Sequence, residues 1–181
     1  MKRFLTIVSA LCVCVALASS AHAAVYGWTA SASNTDPLVQ VGTGPNGSTD
    51  NVYLWFACSD EGMSAAEIDL VSNPAGNILA FNVLNGFLNA GTAQHLLLAV
   101  GGCPQAPVLA GAILILHFAP LTVCPVGANV TVDCSANPQA WPHDHKGYSD
   151  PGLVPCAGDT ETLCVVSVEE SSWGSIKSLY R

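Results

Sequence analysis

The stretch Asn51–Leu70 (NVYLWFACSDEGMSAAEIDL) constrains the fold of this chain more than any other. Val52–Cys58 is almost wholly apolar, as a strand covered on both faces must be. Ala66–Leu70 alternates instead, with Ala66, Ile68 and Leu70 on one side and Glu67 and Asp69 on the other. Between them Ser59–Asp60–Glu61–Gly62 supplies turn chemistry, and Gly62 is free to take a positive φ. The expectation is a core hairpin whose wet face carries Glu67 and Asp69. Two carboxylates on one strand face can also be read as an acid/base pair, although a solvated strand face needs no such chemistry.

The remaining apolar segments are short and recur every ten to fifteen residues or so, divided by Gly, Pro and Asn turns. They are Val25–Thr29, Leu38–Val41, Ile78–Leu84, His95–Val100, Leu109–Phe118, Val130–Cys134 and Cys164–Val168. Within Ile78–Leu84, alternation places Leu79, Phe81 and Val83 inward. Leu109–Phe118 (LAGAILILHF) is bracketed by Pro107 and Pro120 and is too short to cross a bilayer, so it reads as a buried central strand. Its His117, like His95 at the head of an earlier strand, reads as a satisfied or edge-facing residue rather than a base. No helical periodicity precedes the C-terminus. The pattern predicts an all-β fold, an antiparallel β-sandwich of jelly-roll or immunoglobulin-like kind.

Both ends differ from this middle. Lys2 and Arg3, the apolar run Phe4–Ala18 and the small-x-small Ala21–His22–Ala23 predict a secretory signal peptide over residues 1–23. The chain is therefore expected outside the cytoplasm, secreted, extracellular or periplasmic, with a sandwich domain over 24–168. At the other end, residues 169–181 (EESSWGSIKSLYR) place Trp173, Ile176 and Tyr180 on one helical face, with acids before and Lys177 and Arg181 towards the end. That predicts a short amphipathic C-terminal helix.

Cleavage leaves six cysteines: Cys58, Cys103, Cys124, Cys134, Cys156 and Cys164. An even count in an exported chain without a Cys-x-x-Cys pair points to disulfides rather than zinc. The favoured pairing is local, Cys156–Cys164 across Ala157–Leu163, with Cys103 tied to Cys124 or Cys134. Charge is equally informative. Thirteen acidic residues face three basic ones, Lys146, Lys177 and Arg181, once Lys2 and Arg3 are removed. Residues 24–145 hold no Lys or Arg, which excludes nucleic acid and anionic lipid as partners.

Residues 135–163 are rich in Pro, Gly and Asp and read as a long loop framed by Cys134 and Cys164, the sort of excursion that carries function. Three ideas attach to it. His143 and His145 share a side of an extended segment and, with Asp150, form a candidate metal site for zinc. Asp144, Asp150, Asp159 and Glu161 form a candidate calcium set, without EF-hand spacing. Trp141 and Tyr148, as exposed loop aromatics, are candidates for stacking on a glycan, whereas Trp55 is expected to fill the core. No Gly-x-Ser-x-Gly, His-Glu-x-x-His or phosphate-loop motif occurs, and the expectation is a non-enzymatic protein with no required cofactor.

Asn51–Phe118, with NVYLWFA, the Gly-bearing turn, Ala65–Ala66–Glu67–Ile68 and the later Ala112–Phe118, resembles cohesin-like and carbohydrate-binding β-sandwiches. The ending SSWGSIKSLYR after Val166–Ser167–Val168–Glu169–Glu170 resembles the tail of a group of uncharacterised exported β-sandwich proteins of environmental bacteria. The first resemblance implies binding of a partner protein through a sheet face; the second implies membership of a group, not an activity. Three functions arise as expectations: a structural or adhesive surface sandwich, a cohesin-like module binding a surface protein or glycan, and, well behind, a metal-dependent hydrolase using His143 and His145.

Overall fold

The computed structural model describes residues 26–59, 61–140, 143–153, 156, 159 and 163. The expected signal peptide, the Cys164–Val168 strand and the C-terminal helix lie outside the described residues. Eleven strands form within them: β1 (Tyr26–Ser31), β2 (Thr49–Ser59), β3 (Ala65–Asn73), β4 (Ile78–Val83), β5 (Phe87–Asn89), β6 (His95–Val100), β7 (Val108–Leu116), β8 (Thr122–Val132), β9 (Pro138–Ala140), β10 (Asp144–Lys146) and β11 (Tyr148–Ser149). They make two sheets. The first runs β10-β1-β2-β7-β4; the second runs β11-β8-β3-β6-β5, with β9 paired to β8. Every pairing between these strands is antiparallel except β1 with β10. The fold is the all-β sandwich that the strand pattern predicts.

Each sheet turns one face to a shared apolar core. The first contributes Tyr26, Trp28, Leu54, Phe56, Ile113 and Ile115; the second contributes Ala66, Ile68, Leu70, Leu96, Leu98 and Val123. The Trp28 and Phe56 rings meet at 5.1 Å in a tilted arrangement. The buried indole N–H of Trp28 donates across the sandwich to Thr131 Oγ1 at 3.5 Å, so the largest core side chain leaves no orphan donor.

Four expectations are corrected here. First, Asn51–Leu70 is not a hairpin. β2 pairs with β1 and β7, and β3 with β6 and β8, so Ser59–Ser64 carries the chain from one sheet to the other. Gly62 has the expected positive φ, 69°. Second, Leu79 and Val83 are exposed while Phe81 packs against the core. The register of β4 on β7 slips between Ile78 and Ala80, and the extra residue there sets Ile78 and Phe81, opposite Ile115 and Ile113, on the inner face while Leu79 turns outward. Third, Trp55 is buried, as expected, but it lies outside the main core cluster. Its indole donates to the Ser33 carbonyl at 3.0 Å, so the 32–41 loop covers the outer face of β2 there.

The fourth correction concerns 135–163. It is not a free excursion, because β9, β10 and β11 stitch it into both sheets. Cys124 pairs with Cys156, not Cys156 with Cys164, while Cys103 pairs with Cys134, one of its two expected partners. Cys58 is disulfide-bonded too. Gly147, between β10 and β11, lies directly beneath the Cys156 sulfur, where a Cβ would collide with it and stand 2.9 Å from the Val123 carbonyl oxygen.

Candidate functional site

Two polar constellations emerge, and each joins residues singled out in the sequence, Glu67 with Asp69 and Asp150 with Tyr148, to a histidine that the sequence reads as unremarkable. The first lies on the outer face of the second sheet. Because Ala66, Ile68 and Leu70 turn inward, Glu67 and Asp69 project outward from β3. The antiparallel register sets Asp69 opposite His95 and Glu67 opposite Leu97 on β6. His95 Nδ1 is 2.6 Å from Asp69 Oδ1, and Nε2 is 3.3 Å from Glu67 Oε1. One imidazole thus sits between two carboxylates. The hydrogen bond to Asp69, aided by the charges of Asp69 and Glu67, outweighs desolvation and raises the His95 pKa above its ordinary value.

Apolar side chains share the sheet face with this cluster. Leu88 on β5 is 70% exposed, and Leu97 and Val71 are exposed as well. Leu88 pairs with Ala99, and Val71 with Cys124. Exposed leucines on a sheet face, flanking two acids, form a surface with both apolar area and a negative centre.

The second constellation lies at the end of the sandwich where β2 begins, β7 ends, β8 begins and β11 ends. His117 comes directly after β7 and is only 1% exposed. Its backbone N–H donates to the Ser48 carbonyl at 2.8 Å, and its carbonyl accepts from Gly47 N at 2.8 Å. His117 Nε2 is 3.4 Å from Asp150 Oδ2. The Asp150 carboxylate is buried and also accepts from Leu121 N at 3.0 Å and from the Tyr148 hydroxyl at 3.4 Å. Burial, with the Asp150 charge and hydrogen bond beside it, pushes the Tyr148 phenol well above its ordinary pKa. A cavity of about 370 Å³ opens here, lined by Thr43, Gly44, His117, Ala119, Pro120, Asp150 and Pro151.

The loop residues proposed from sequence are dispersed rather than gathered. Tyr148 is not an exposed platform: it is 3% exposed, because β11 pairs with β8 and Gly42 leaves room for its ring. Trp141 lies outside the described residues. His143 is buried against the Tyr26 ring at 5.3 Å, and burial lowers its pKa to about 4. His145 Nδ1 meets the His143 carbonyl oxygen at 3.0 Å. Asp150 serves His117 and Tyr148 instead. Asp159 accepts from Gly147 N at 3.2 Å, and burial raises its pKa. Among the described residues, no group of three or more His, Cys, Asp and Glu side chains is arranged to hold a metal ion. The two constellations that do form escaped sequence reading for different reasons. His95 with Asp69 needs the β3–β6 register, and His117 with Asp150 needs β11 placed beside the start of β8.

No family model matches the chain. No curated protein matches it either. Among solved structures, it is similar to the sixth cohesin of scaffoldin B from Acetivibrio cellulolyticus, determined in complex with a mutant Cel5 dockerin. The likeness has 11% sequence identity and a TM-score of 0.46, and covers 70% of this chain and 96% of the cohesin.

Proposed function

We propose that this protein is an exported binding module that acts without turnover and captures a protein partner on the outer face of its second sheet. One observation carries the reading: exposed Leu88, Leu97 and Val71 lie on the same sheet face as the Glu67–His95–Asp69 cluster. Apolar side chains of that size left in water on a sheet face mark an interaction surface. The acids set the partner's character. Residues 24–145 contain no Lys or Arg to neutralise Glu67 and Asp69, so the complementary surface presents a Lys or Arg among apolar side chains. Cys103–Cys134 and Cys124–Cys156 support export, since such bridges persist in oxidising compartments. The cohesin resemblance of Asn51–Phe118 implies the same class of partner.

The test is capture of secreted and surface proteins by the full chain, its Leu88→Asp/Leu97→Asp variant and a Leu79→Asp control on the other sheet. The reading expects a partner held by the wild type and the control and lost by the double variant. Equal capture by all three would remove the face from consideration.

A further inference from the structure

The Cys124–Cys156 disulfide carries the late part of the chain onto the outer face of the second sheet. Val123 is a core residue, so its neighbour Cys124 projects outward, on the same side as its register partner, the exposed Val71. Cys156, with 5.8 Å between the two Cα atoms, therefore lies over that face. Asp159 is still close by, accepting from Gly147 N at 3.2 Å beside the same disulfide. By strand rise and spacing, Leu88 at the far side of the face is about 25 Å from Cys124. The eighteen residues 164–181 follow the last described position. Fully extended they span up to ~60 Å, so the whole face is within their reach.

We propose that residues 169–181 dock on the outer face of the second sheet of their own chain, with Lys177 and Arg181 at Glu67 and Asp69 and an apolar stripe over the exposed leucines. The pattern of the segment selects this surface. At the helical spacing that the sequence predicts, Trp173, Ile176, Lys177 and Tyr180 fall at i, i+3, i+4 and i+7, so a lysine sits inside the apolar stripe. Arg181 follows Lys177 by four residues on the same side. Such a stripe is complementary to apolar surface interrupted by carboxylates, which is what Leu88, Leu97 and Val71 form with Glu67 and Asp69. Even with His95 protonated, two carboxylates against one imidazolium leave the cluster negative. Residues 24–145 supply no Lys or Arg to neutralise it. Covalent linkage favours the chain's own segment over a second copy, because a short linker gives an effective concentration on the order of millimolar. A partner captured on this face must then displace the segment. That regulation rests on the proposed function, whereas the docking rests on the face and the segment alone.

The experiment places a photoreactive phenylalanine analogue at Tyr180 of the full chain and irradiates a dilute, equal mixture of isotope-labelled and unlabelled protein. Mass spectrometry then locates each cross-link and reports whether it lies within one chain. The expected result is cross-links within single chains, onto peptides that carry outer-face residues of β3, β5, β6 or β8. Lys177→Glu/Arg181→Glu is expected to lower their yield by about fivefold or more, the scale of reversing two charges against an acidic pair. Thermal unfolding of that variant reports separately that it is folded. Cross-links confined to the first sheet, cross-links only between labelled and unlabelled chains, no cross-links, or a yield unmoved by the charge reversal each overturn the proposal. The readout needs no partner, so its failure leaves capture by the face untouched, and failure of capture leaves the docking standing.

Discussion

Asp69 and His95 are direct cross-strand partners on β3 and β6, and their carboxylate and imidazole lie 2.6 Å apart on the outer face of the second sheet. Strand register alone creates this pair. It also places a titrating group at the centre of the surface proposed to bind a cationic partner.

The His95 titration midpoint is expected above the ordinary imidazole value of about 6.5, and Asp69→Asn is expected to bring it back down. NMR titration of the ring checks this. The sign for stability comes from a raised folded-state pKa. The contribution is complete below the unfolded value and is lost as pH rises through the folded one. Partner binding moves the other way, because deprotonated His95 leaves Glu67 and Asp69 uncompensated. Binding is therefore expected to strengthen as pH rises through that midpoint, and weakening over the same range would count against a cationic partner.

His143 behaves oppositely. Burial holds its folded pKa at about 4, so the unfolded chain takes up a proton first as pH falls. Stability is expected to begin falling below about pH 6.5 and to have lost a few kcal/mol by about pH 4. His143→Phe, which keeps a ring against Tyr26 without the titration, is expected to flatten that part of the curve. Urea unfolding at a series of pH values measures it.

Gly147→Ala drives a methyl into the Cys156 sulfur and towards the Val123 carbonyl oxygen. Neither neighbour is a flexible side-chain end, since Cys156 is bonded to Cys124 and Val123 pairs with Tyr148. A loss of roughly 2–3 kcal/mol is expected, as for overpacking elsewhere. Gly47→Ala is a control of another kind: a Cβ meets nothing there within 4 Å, but the backbone sits at φ 81°. Its cost is backbone strain of ~1 kcal/mol. Comparing denaturation midpoints separates collision from strain.

The scaffold was largely legible in the chain and its pairings were not. Ala66, Ile68 and Leu70 announce a half-buried strand because period-two alternation maps directly onto two faces. Val52–Cys58 carries no such map: apolar on both faces, it gives no hint that its neighbours are β1 and β7 rather than β3. Leu79 misleads because it sits at the register slip between Ile78 and Ala80, which breaks the alternation and turns Ile78 inward in its place. β9, β10 and β11 are two or three residues each, too short for periodicity to register among Pro, Gly and His. The His117–Asp150 contact depends on those strands, so no spacing in the sequence signals it.

Site-specific photo-crosslinking addresses the proposed face most directly. A photoreactive phenylalanine analogue is placed at Leu97, on the outer face of the second sheet, or at Leu79, on the first, and the protein is irradiated among the secreted and surface proteins of its native host. The account predicts a discrete cross-linked partner from position 97, diminished by added salt and absent from position 79. A partner captured only from position 79, or equally from both, would contradict it.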